Sequence, residues 1–233
     1  MSNVAIITAR GGSKRIPRKN IRPFLGKPII SYVINAVVQS GLFTEVMVST
    51  DDEEIAAIAQ DFGASVPFLR STETADDFAT TADVLTEVLR QYEQQNQTFD
   101  YACCLYPTAP FITSDLLRQA FSTLTEKKFD TVYPVQRFGF PIQRAVFLRD
   151  QKVNWVNPEH ALTRSQDLEP TYHDAGQFYF VNVASFQQSH RLITGNSGGI
   201  IISELAAHDI DTEDDWQVAE FKYKMNHAGQ SKS

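Results

Sequence analysis

The sequence predicts an α/β protein in which a doubly wound, mostly parallel sheet fills a single domain, residues 1–233. Short apolar runs typical of buried strands alternate with longer amphipathic stretches, as in parallel sheets that are covered by helices. Glycines and helix-capping residues separate these stretches. A chain of this length builds one good core with a small extra lobe, and is too short for two full domains.

The predicted elements follow one another along the chain. Strands are predicted at residues 4–7, at 45–52 with capping residues at its end, and at 65–69, 99–106, 130–135, 178–180 and 200–205. Helices are predicted from near Pro28, at 53–62, at 82–96 with Thr81 or Asp83 as its cap, after the capping residues 113–115, and at 213–225. In the helix at 53–62 the residues expected to face the core are Ile55, Ile58, Ala59 and Phe62.

The alternation stops at residue 136, and residues 136–175 are predicted to form an inserted arm. Two short alternating segments, 144–148 and 152–155, flank a turn at Asp150 and Gln151, which predicts a β-hairpin. An isolated hairpin cannot bury itself, so its aromatic side chains indicate packing against another surface. These side chains are Phe138, Phe140, Phe147 and Trp155.

Composition and charge exclude several classes of protein. The formal net charge is −7, and seven of the 21 lysines and arginines lie between Arg10 and Lys27. Such a distribution favours a local anionic ligand over a nucleic acid, which needs a broad basic face. No apolar run approaches the ~18 residues of a membrane span and no signal-peptide pattern is present, so we expect a cytoplasmic protein without membrane contact.

The two cysteines, Cys103 and Cys104, are neighbours on a predicted strand. Their side chains therefore point to opposite faces, and a disulfide between them is not expected. We expect both to be buried core residues without a structural zinc site.

The cation cluster forms a turn directly after the first predicted strand. Two adjacent glycines, Gly11 and Gly12, let the backbone turn sharply and expose its N–H groups. The carboxyl end of such a strand is where open α/β sheets bind ligands, so the turn is predicted to hold a polyphosphate. A solvated basic loop or a nucleic-acid patch is the alternative. The spacing matches neither a nucleoside-triphosphatase loop nor a dinucleotide-binding loop. The cations are Arg10, Lys14, Arg15, Arg18 and Lys19.

Residues 7–30, ITARGGSKRIPRKNIRPFLGKPII, closely resemble the N-terminal signature of the cytidylyltransferases that activate nine-carbon keto-sugar acids, the CMP-sialic acid synthetase family. The resemblance extends from Val4 to about Trp216. It implies a nucleotide-diphospho-sugar transferase fold, CTP and a nine-carbon keto-sugar acid as substrates, and Mg²⁺ as the cofactor. It also implies a homodimer in which the arm reaches over the neighbouring active site.

The resemblance places the nucleotide in the basic turn and beside two later positions. Arg10, Lys14 and Lys19 are expected to hold the triphosphate and to offset charge on the departing pyrophosphate. With Asp211 they form the expected catalytic set. The expected nucleotide contacts are Ala9, Arg10, Gly11, Gly12, Ser13, Lys14, Asn20, Arg70 and Thr80.

An acidic motif precedes the last predicted helix. In an extended segment Asp209 and Asp211 face the same side, so both carboxylates can converge on one Mg²⁺ while Ile210 is anchored in the core. The alternative is that Asp211 or Thr212 caps the helix and the following acidic residues complement its dipole.

The sugar-binding side is expected from motif variants. Sialic acid relatives carry a glutamine where this chain has Tyr106, and an Arg-Pro-Asn-Gly pattern near residue 175. The segments YPTAPF and YHDAGQFYF resemble instead the pseudaminic acid cytidylyltransferases. The alternative roles are a rim position for the arm residues and a simple turn at 173–176. The expected sugar contacts are Tyr106, Gln143, Arg144, His173, Asp174 and Gln177.

These residues together predict a transferase that moves CMP from CTP to the anomeric hydroxyl of a nine-carbon keto-sugar acid, most closely pseudaminic acid. The alternatives within this enzyme class are N-acetylneuraminate, legionaminate or the eight-carbon acid of lipopolysaccharide as the substrate. The alternative from another class is a non-catalytic nucleotide-binding module on the same fold.

Overall fold

The structure, a computed structural model, describes residues 1–76 and 78–228. Its strands lie in chain order as β1 (Asn3–Thr8), β2 (Pro23–Phe24), β3 (Lys27–Pro28), β4 (Glu45–Ser49), β5 (Tyr101–Leu105), β6 (Thr131–Arg137), β7 (Val146–Arg149), β8 (Lys152–Trp155), β9 (Tyr172–Asp174), β10 (Phe178–Asn182) and β11 (Ser197–Ile202). Its helices are α1 (Ile29–Ser40), α2 (Glu53–Asp61), α3 (Thr72–Ala75), α4 (Thr81–Gln94), α5 (Ser114–Lys127), α6 (Val183–Ser189) and α7 (Glu213–Ala228).

A seven-stranded sheet forms the centre of the described chain, in the order β11-β6-β10-β5-β1-β4, with β9 paired to β6. β1 is parallel to β4 and β5, β11 is parallel to β6, and β10 runs antiparallel between β5 and β6. Five of these strands therefore point the same way, which confirms the mostly parallel sheet. The reversed strand β10 was not predicted, because a single aromatic run does not reveal its direction.

Helices cover both faces of the sheet, as the doubly wound prediction requires. Alternate residues of β1 enter different clusters: Ile7 packs with residues of α1 and α5, whereas Ile6 packs with residues of α4 and α6. The same alternation buries Cys103 and Cys104, and both cysteines are free, as predicted.

Two strand predictions need correction. Residues 65–69 do not form a strand: Ser65 makes a single bridge to Met47, and Pro67 lacks the N–H that a continued ladder needs. The last strand runs from Ser197 to Ile202 rather than from 200 to 205, because Gly198 and Gly199 pair with β6 and a 3-10 turn follows at Glu204–Ala206. A side chain at Gly198 would lie 2.5 Å from the Phe129 ring, so only glycine fits there.

A third cluster joins the two ends of the chain. Ile16 of the basic turn and Phe24 pack against Ile210, Trp216 and Ala219, all of them buried. The cluster places α7 and the segment before it beside the turn that follows β1. This packing determines where the acidic motif lies.

The predicted hairpin is present as β7 and β8, joined at Asp150 and Gln151, which both have positive φ angles of 49° and 62°. All residues of both strands are exposed.

Within the described residues, none of the helices combines the length and the apolar character needed to cross a membrane.

Candidate active site

A two-part cleft lies at the carboxyl ends of β1 and β5. The larger cavity measures about 520 Å³ and the smaller about 240 Å³, and both are lined by Thr8, Arg10 and Tyr106. The larger cavity is lined further by Ser13, Lys14, Arg15, Ile16, Lys19, Asn20, Pro107, Thr108 and Asp209. The smaller one is lined further by Arg70, Thr74, Asp76, Ala79, Thr81 and Val84.

The basic turn is held in place by hydrogen bonds from both sides. Asn20 Nδ2 donates to the carbonyl of Arg10 (2.8 Å), and the N–H of Gly11 donates to Asp51 Oδ1 (2.8 Å). That N–H is therefore engaged within the protein itself, contrary to the expectation that the glycines simply expose theirs. A side chain at Gly11 would lie 2.9 Å from Asp52 Oδ2, whereas nothing lies within 4 Å of such a position at Gly12.

The cations of the turn do not all face the cleft. Arg10, Lys14, Arg15 and Lys19 line the larger cavity. Arg18 points away, because it pairs with Asp52 and Glu54 at the start of α2. Arg10 also donates from Nη1 to the carbonyl of Asp76 (2.9 Å), which ties the turn to the rim of the smaller cavity.

The acidic motif meets these cations directly. Lys19 Nζ lies 3.5 Å from Asp211 Oδ1 and donates to the carbonyl of Ile210 (2.6 Å), and Arg15 Nη2 lies 2.8 Å from the same Asp211 oxygen. Asp209 opens onto the larger cavity. This contact brings together Lys19 and Asp211, two members of the expected catalytic set.

Helix capping at α7 leaves Asp211 available. Thr212 Oγ1 accepts from the N–H of Asp215 (3.2 Å), and Asp215 Oδ2 accepts from the N–H of Thr212 (2.8 Å). This reciprocal pair is a capping box. Of the two predicted caps, Thr212 performs the role, and Asp211 uses its side chain in ion pairs instead.

The donor set of the acidic pair fits a divalent cation. Partial burial of the carboxyl group raises the pKa of Asp209, and the nearby Asp211 carboxylate raises it further while Lys19 opposes the shift. A bound cation would relieve this repulsion. The described residues contain no cluster of three or more histidine, cysteine or acidic side chains placed to hold a metal. A pair of carboxylates suits Mg²⁺, which takes few protein ligands and completes its shell with phosphate oxygens and water.

The hydrogen bonds at the start of α4 correct the prediction of its N-cap. Thr80, not Thr81, is the N-cap: its Oγ1 accepts from the N–H of Asp83 (3.2 Å), and Asp83 Oδ2 accepts from the N–H of Thr80 (2.8 Å). Thr81 instead faces the cavity, with Oγ1 3.4 Å from the Tyr106 hydroxyl. The pattern Thr-x-x-Asp at residues 80–83 is the sequence signal that identifies this cap.

Arg70 is the buried cation of the smaller cavity. It is 8% exposed and donates to Ser49 Oγ (3.0 Å) and to the Ser49 carbonyl (2.7 Å). Burial lowers the pKa of Arg70 from its usual value, and Asp51 opposes the shift. A guanidinium with so high an intrinsic pKa remains charged at neutral pH.

Tyr106 divides the two cavities and is supported from behind. Its ring packs edge-on against Tyr179, and the Tyr179 hydroxyl donates to Asp174 Oδ2. Asp174 also accepts from the N–H of Gly176 (2.8 Å). Burial raises the pKa of Tyr106, so its hydroxyl stays protonated as a hydrogen-bonding group.

Of the predicted sugar contacts, only Tyr106 lines this cleft. Gln177 does not line it: this residue is 2% exposed, and its Nε2 donates to the carbonyl of Ala206 (2.7 Å). His173 packs on Phe138 outside both cavities. Gln143 and Arg144 belong to the arm, where they bond to the carbonyl of Glu169 (2.9 Å) and to Ser165 Oγ (3.3 Å) respectively. Of the six predicted sugar contacts, Tyr106 is thus the one that lines the cleft.

Sequence reasoning named no individual ligand contact at Arg15, Thr81, Thr8 or Thr108, although Arg15 was counted among the cations of the phosphate-binding turn. Arg15 was visible as part of the cation run, but its partner Asp211 is far away in sequence. Thr8 is the last residue of β1, and Thr108 lies three residues after the end of β5. Both lie at the edge of the sheet where open α/β sheets bind ligands.

The fold and the cleft define the class of protein, a nucleotide-binding α/β protein. Its cleft is lined by cations and by Asp209, and Asp211 pairs with two of those cations. A family model described as "Cytidylyltransferase" matches residues 4–215, and the chain belongs to this family. The pseudaminic acid cytidylyltransferase of Campylobacter jejuni is 42% identical over 97% of this chain and 98% of that protein. The CMP-N,N'-diacetyllegionaminic acid synthase of Legionella pneumophila is 32% identical over 97% and 98%.

A solved structure supports the fold independently. The CMP:2-keto-3-deoxy-manno-octonic acid synthetase complexed with CTP superposes with a TM-score of 0.71 at 17% identity, covering 97% of this chain and 100% of that one. At this identity the likeness shows the shared fold. It confirms the predicted nucleotide-sugar transferase architecture.

Proposed function

We propose that this cytidylyltransferase transfers CMP from CTP to the anomeric hydroxyl of pseudaminic acid, acting as a homodimer in the cytoplasm. The anomeric oxygen forms a bond to the α-phosphorus, the bond to the bridging oxygen of pyrophosphate breaks, and the hydroxyl proton leaves to solvent. The observation that carries the proposal is the contact of Lys19 and Arg15 with Asp211 at the larger cavity.

The larger cavity is proposed to hold the triphosphate. Arg10, Lys14 and Lys19 supply positive charge there, and the turn at Gly11 to Ser13 surrounds the phosphates with backbone. Charge fixed in advance stabilises the pyrophosphate that develops in the transition state, without reorganisation during the reaction. Asn20 contributes indirectly, because its hydrogen bond to the Arg10 carbonyl fixes the backbone that carries this cation.

The smaller cavity is proposed to hold the nucleoside. Arg70 offers a buried guanidinium and Thr81 a hydroxyl, the polar groups that a cytosine ring with its carbonyl and ring nitrogen would meet. Thr80 is proposed to act on this cavity through the helix it caps. Arg10 and Tyr106, which line both cavities, would lie at the junction with the phosphates.

Asp209 and Asp211 would hold Mg²⁺, which supplies charge neutralisation on the phosphates and a lower pKa for a bound hydroxyl. Their own contribution is a pair of carboxylates whose mutual repulsion a bound cation would relieve. Within the described residues no separate general base is required by this arrangement, and none is proposed.

The sugar assignment depends on the relatives and on the aromatic wall at Tyr106. The relative from Campylobacter jejuni, 42% identical over nearly the full chain, bears the name of a pseudaminic acid enzyme. Tyr106 presents an aromatic face and a hydroxyl beside the reacting end of the cleft. His173 and Asp174 are proposed to shape this wall from behind.

The homodimer proposal rests on the exposed arm. Its hairpin leaves large apolar side chains in solvent, including Leu148 (70% exposed) and Val153 (64%). A second copy that covers them would also place Gln143 and Arg144 near a neighbouring cleft. A complementation test examines this directly: Asp211→Asn protein mixed with Gln143→Ala/Arg144→Ala protein regains pyrophosphate release if arms serve partner clefts, and stays inactive if each chain is self-sufficient.

The function itself is tested by incubating the protein with CTP, Mg²⁺ and each of four acids, and measuring pyrophosphate release and the CMP-sugar formed. The acids are pseudaminic acid, N-acetylneuraminate, N,N'-diacetyllegionaminate and the eight-carbon acid of lipopolysaccharide. We expect pseudaminic acid to give the fastest turnover. Asp211→Asn should lower that turnover by about 10²-fold or more, whereas Asp214→Asn, exposed on the first turn of α7, should not.

Two outcomes would contradict the proposal in different ways. Turnover of N-acetylneuraminate alone would overturn the sugar assignment while leaving the reaction class intact. Tight binding of CTP, without release of pyrophosphate from it in the presence of any of the four acids, would instead favour a nucleotide-binding module.

A further inference from the structure

The segment that carries the acidic pair is held by side chains from three other parts of the chain. Residues 203–207 connect β11 to the acidic motif and contain a single turn of 3-10 helix, Glu204–Ala206. Each of their five consecutive carbonyl oxygens accepts a hydrogen bond from a side chain. The pairs are Gln136 to Ser203 (2.8 Å), Lys222 to Glu204 (2.9 Å) and to Ala207 (3.1 Å), Asn226 to Leu205 (2.7 Å), and Gln177 to Ala206 (2.7 Å).

Gln177 has a second contact that reaches the opposite wall of the cleft. Its own carbonyl accepts from the N–H of Tyr106 (2.9 Å), while its side-chain amide holds Ala206, three residues before Asp209. One buried residue therefore links the wall at Tyr106 to the segment that carries the acidic pair. Lys222 fixes the same segment from α7, next to the motif.

Stability alone does not explain a glutamine at this position. Its Oε1 is buried and has no hydrogen-bond partner among the described residues. A buried unsatisfied oxygen costs stability, and an apolar side chain of the same shape would avoid that cost. The feature that such a side chain would lose is the Nε2 bond to Ala206, which points to a requirement for position rather than for stability.

We infer that Gln177 and Lys222 are positioning residues for nucleotidyl transfer: by holding the carbonyls of residues 203–207 they set the distance between the acidic pair and the cleft wall at Tyr106. The inference rests on the proposed function, in which Asp209 and Asp211 hold a divalent cation. Neither residue touches the cleft. Their effect is transmitted through the backbone, as groups behind a metal site commonly orient its ligands.

Variants that remove each donor test this inference. Gln177→Met keeps the volume and Lys222→Met keeps the aliphatic stem. For both we expect the half-saturating Mg²⁺ concentration in pyrophosphate release to rise about tenfold, with the KM for CTP changed less than twofold. Mn²⁺ affinity in the presence of CTP, measured from the EPR signal of free Mn²⁺, should weaken by a similar factor. Lys222→Arg should retain the Mn²⁺ affinity of the unaltered protein. Lys224 is exposed two residues further along α7, and Lys224→Met should leave the Mn²⁺ affinity unchanged.

Two further measurements separate positioning from simple destabilisation. Amide hydrogen exchange in residues 203–211 should accelerate in Gln177→Met more than exchange in β1 or β5. In an Asp209→Asn background, Gln177→Met should weaken Mn²⁺ binding by less than it does in the unaltered protein, because part of its effect acts through the Asp209 carboxylate.

The inference is overturned if Gln177→Met and Lys222→Met bind Mn²⁺ as tightly as the unaltered protein and lose only thermal stability. It is also overturned if the Gln177→Met and Asp209→Asn effects add in full. An unaltered protein that releases no pyrophosphate, or that binds no Mn²⁺ with CTP, would refute the proposed function instead.

Discussion

Lys19 Nζ lies 3.5 Å from Asp211 Oδ1, although the two residues come from opposite ends of the chain. The contact exists because Ile16 beside the turn and Ile210 beside Asp211 are buried in one cluster. Two cations of the turn, Arg15 and Lys19, therefore pair with the Asp211 carboxylate. A polyphosphate with its metal would offer each of them a stronger partner.

The glycine turn gives a matched pair of variants. Gly11→Ala would bring a methyl group to 2.9 Å from Asp52 Oδ2, so the turn must shift away from its position against α2. We expect the KM for CTP to rise about tenfold, equivalent to about 1.4 kcal/mol of binding. Gly12→Ala has open space and should change it less than twofold. Equal effects from the two substitutions would show that the Asp52 contact does not position the turn.

The two threonines before α4 should separate binding from stability. Thr81→Val removes the hydroxyl in the smaller cavity and should raise the KM for CTP several-fold with little change in Tm. Thr80→Val breaks the capping box and should lower the free energy of unfolding by about 1 kcal/mol with little change in KM. Steady-state kinetics and thermal unfolding of both variants check this. The reverse pattern would assign the nucleotide contact to Thr80, as first predicted from the sequence.

Asp52 should make stability depend on acid pH. Its hydrogen bond with Arg18 lowers the pKa of Asp52, and the N–H groups of Ile55 and Glu54 lower it further, while burial opposes the shift. Because the folded-state pKa is depressed, the stabilisation is fully present above the unfolded-state aspartate pKa of ~3.9. It is lost as pH falls through the folded-state pKa.

Asp52→Asn should therefore lower the free energy of unfolding by about 1 kcal/mol at pH 7, and the difference should shrink as the pH is lowered below ~4. Urea unfolding across this range measures it. Asp61→Asn, at the last residue of α2, removes an equal charge where the helix dipole disfavours it and should not lower stability. A difference for Asp52→Asn that stays constant with pH would contradict the assignment.

The elements that sequence reasoning predicted well are those whose signals are local. The apolar run before the basic turn, the stripe on α2 with Ile55 and Ala59 buried, and the hairpin turn at Asp150 each depend on neighbouring residues. The expected catalytic set also joined Asp211 to the cations of the turn, because a bound metal and those cations would meet at one polyphosphate.

The features that were missed depend on distant partners. The direction of β10 is set by its neighbours β5 and β6, and Arg18 is drawn from the cleft by Asp52 and Glu54 on another helix. Gln177 has an amide side chain of the kind that binds sugars. Its position one residue before β10, however, buries it behind the wall at Tyr106. Such side chains receive their roles from tertiary packing.

The central claim is that one nucleotide lies between the basic turn and the acidic pair, and a crystal structure with CTP and Mn²⁺ tests it most directly. The account predicts an anomalous Mn²⁺ peak within coordination distance of Asp209 and Asp211, about 2.0–2.3 Å, with the triphosphate against Arg10, Lys14 and Lys19. A nucleotide bound elsewhere, or a metal peak away from both carboxylates while CTP occupies the cleft, would contradict it.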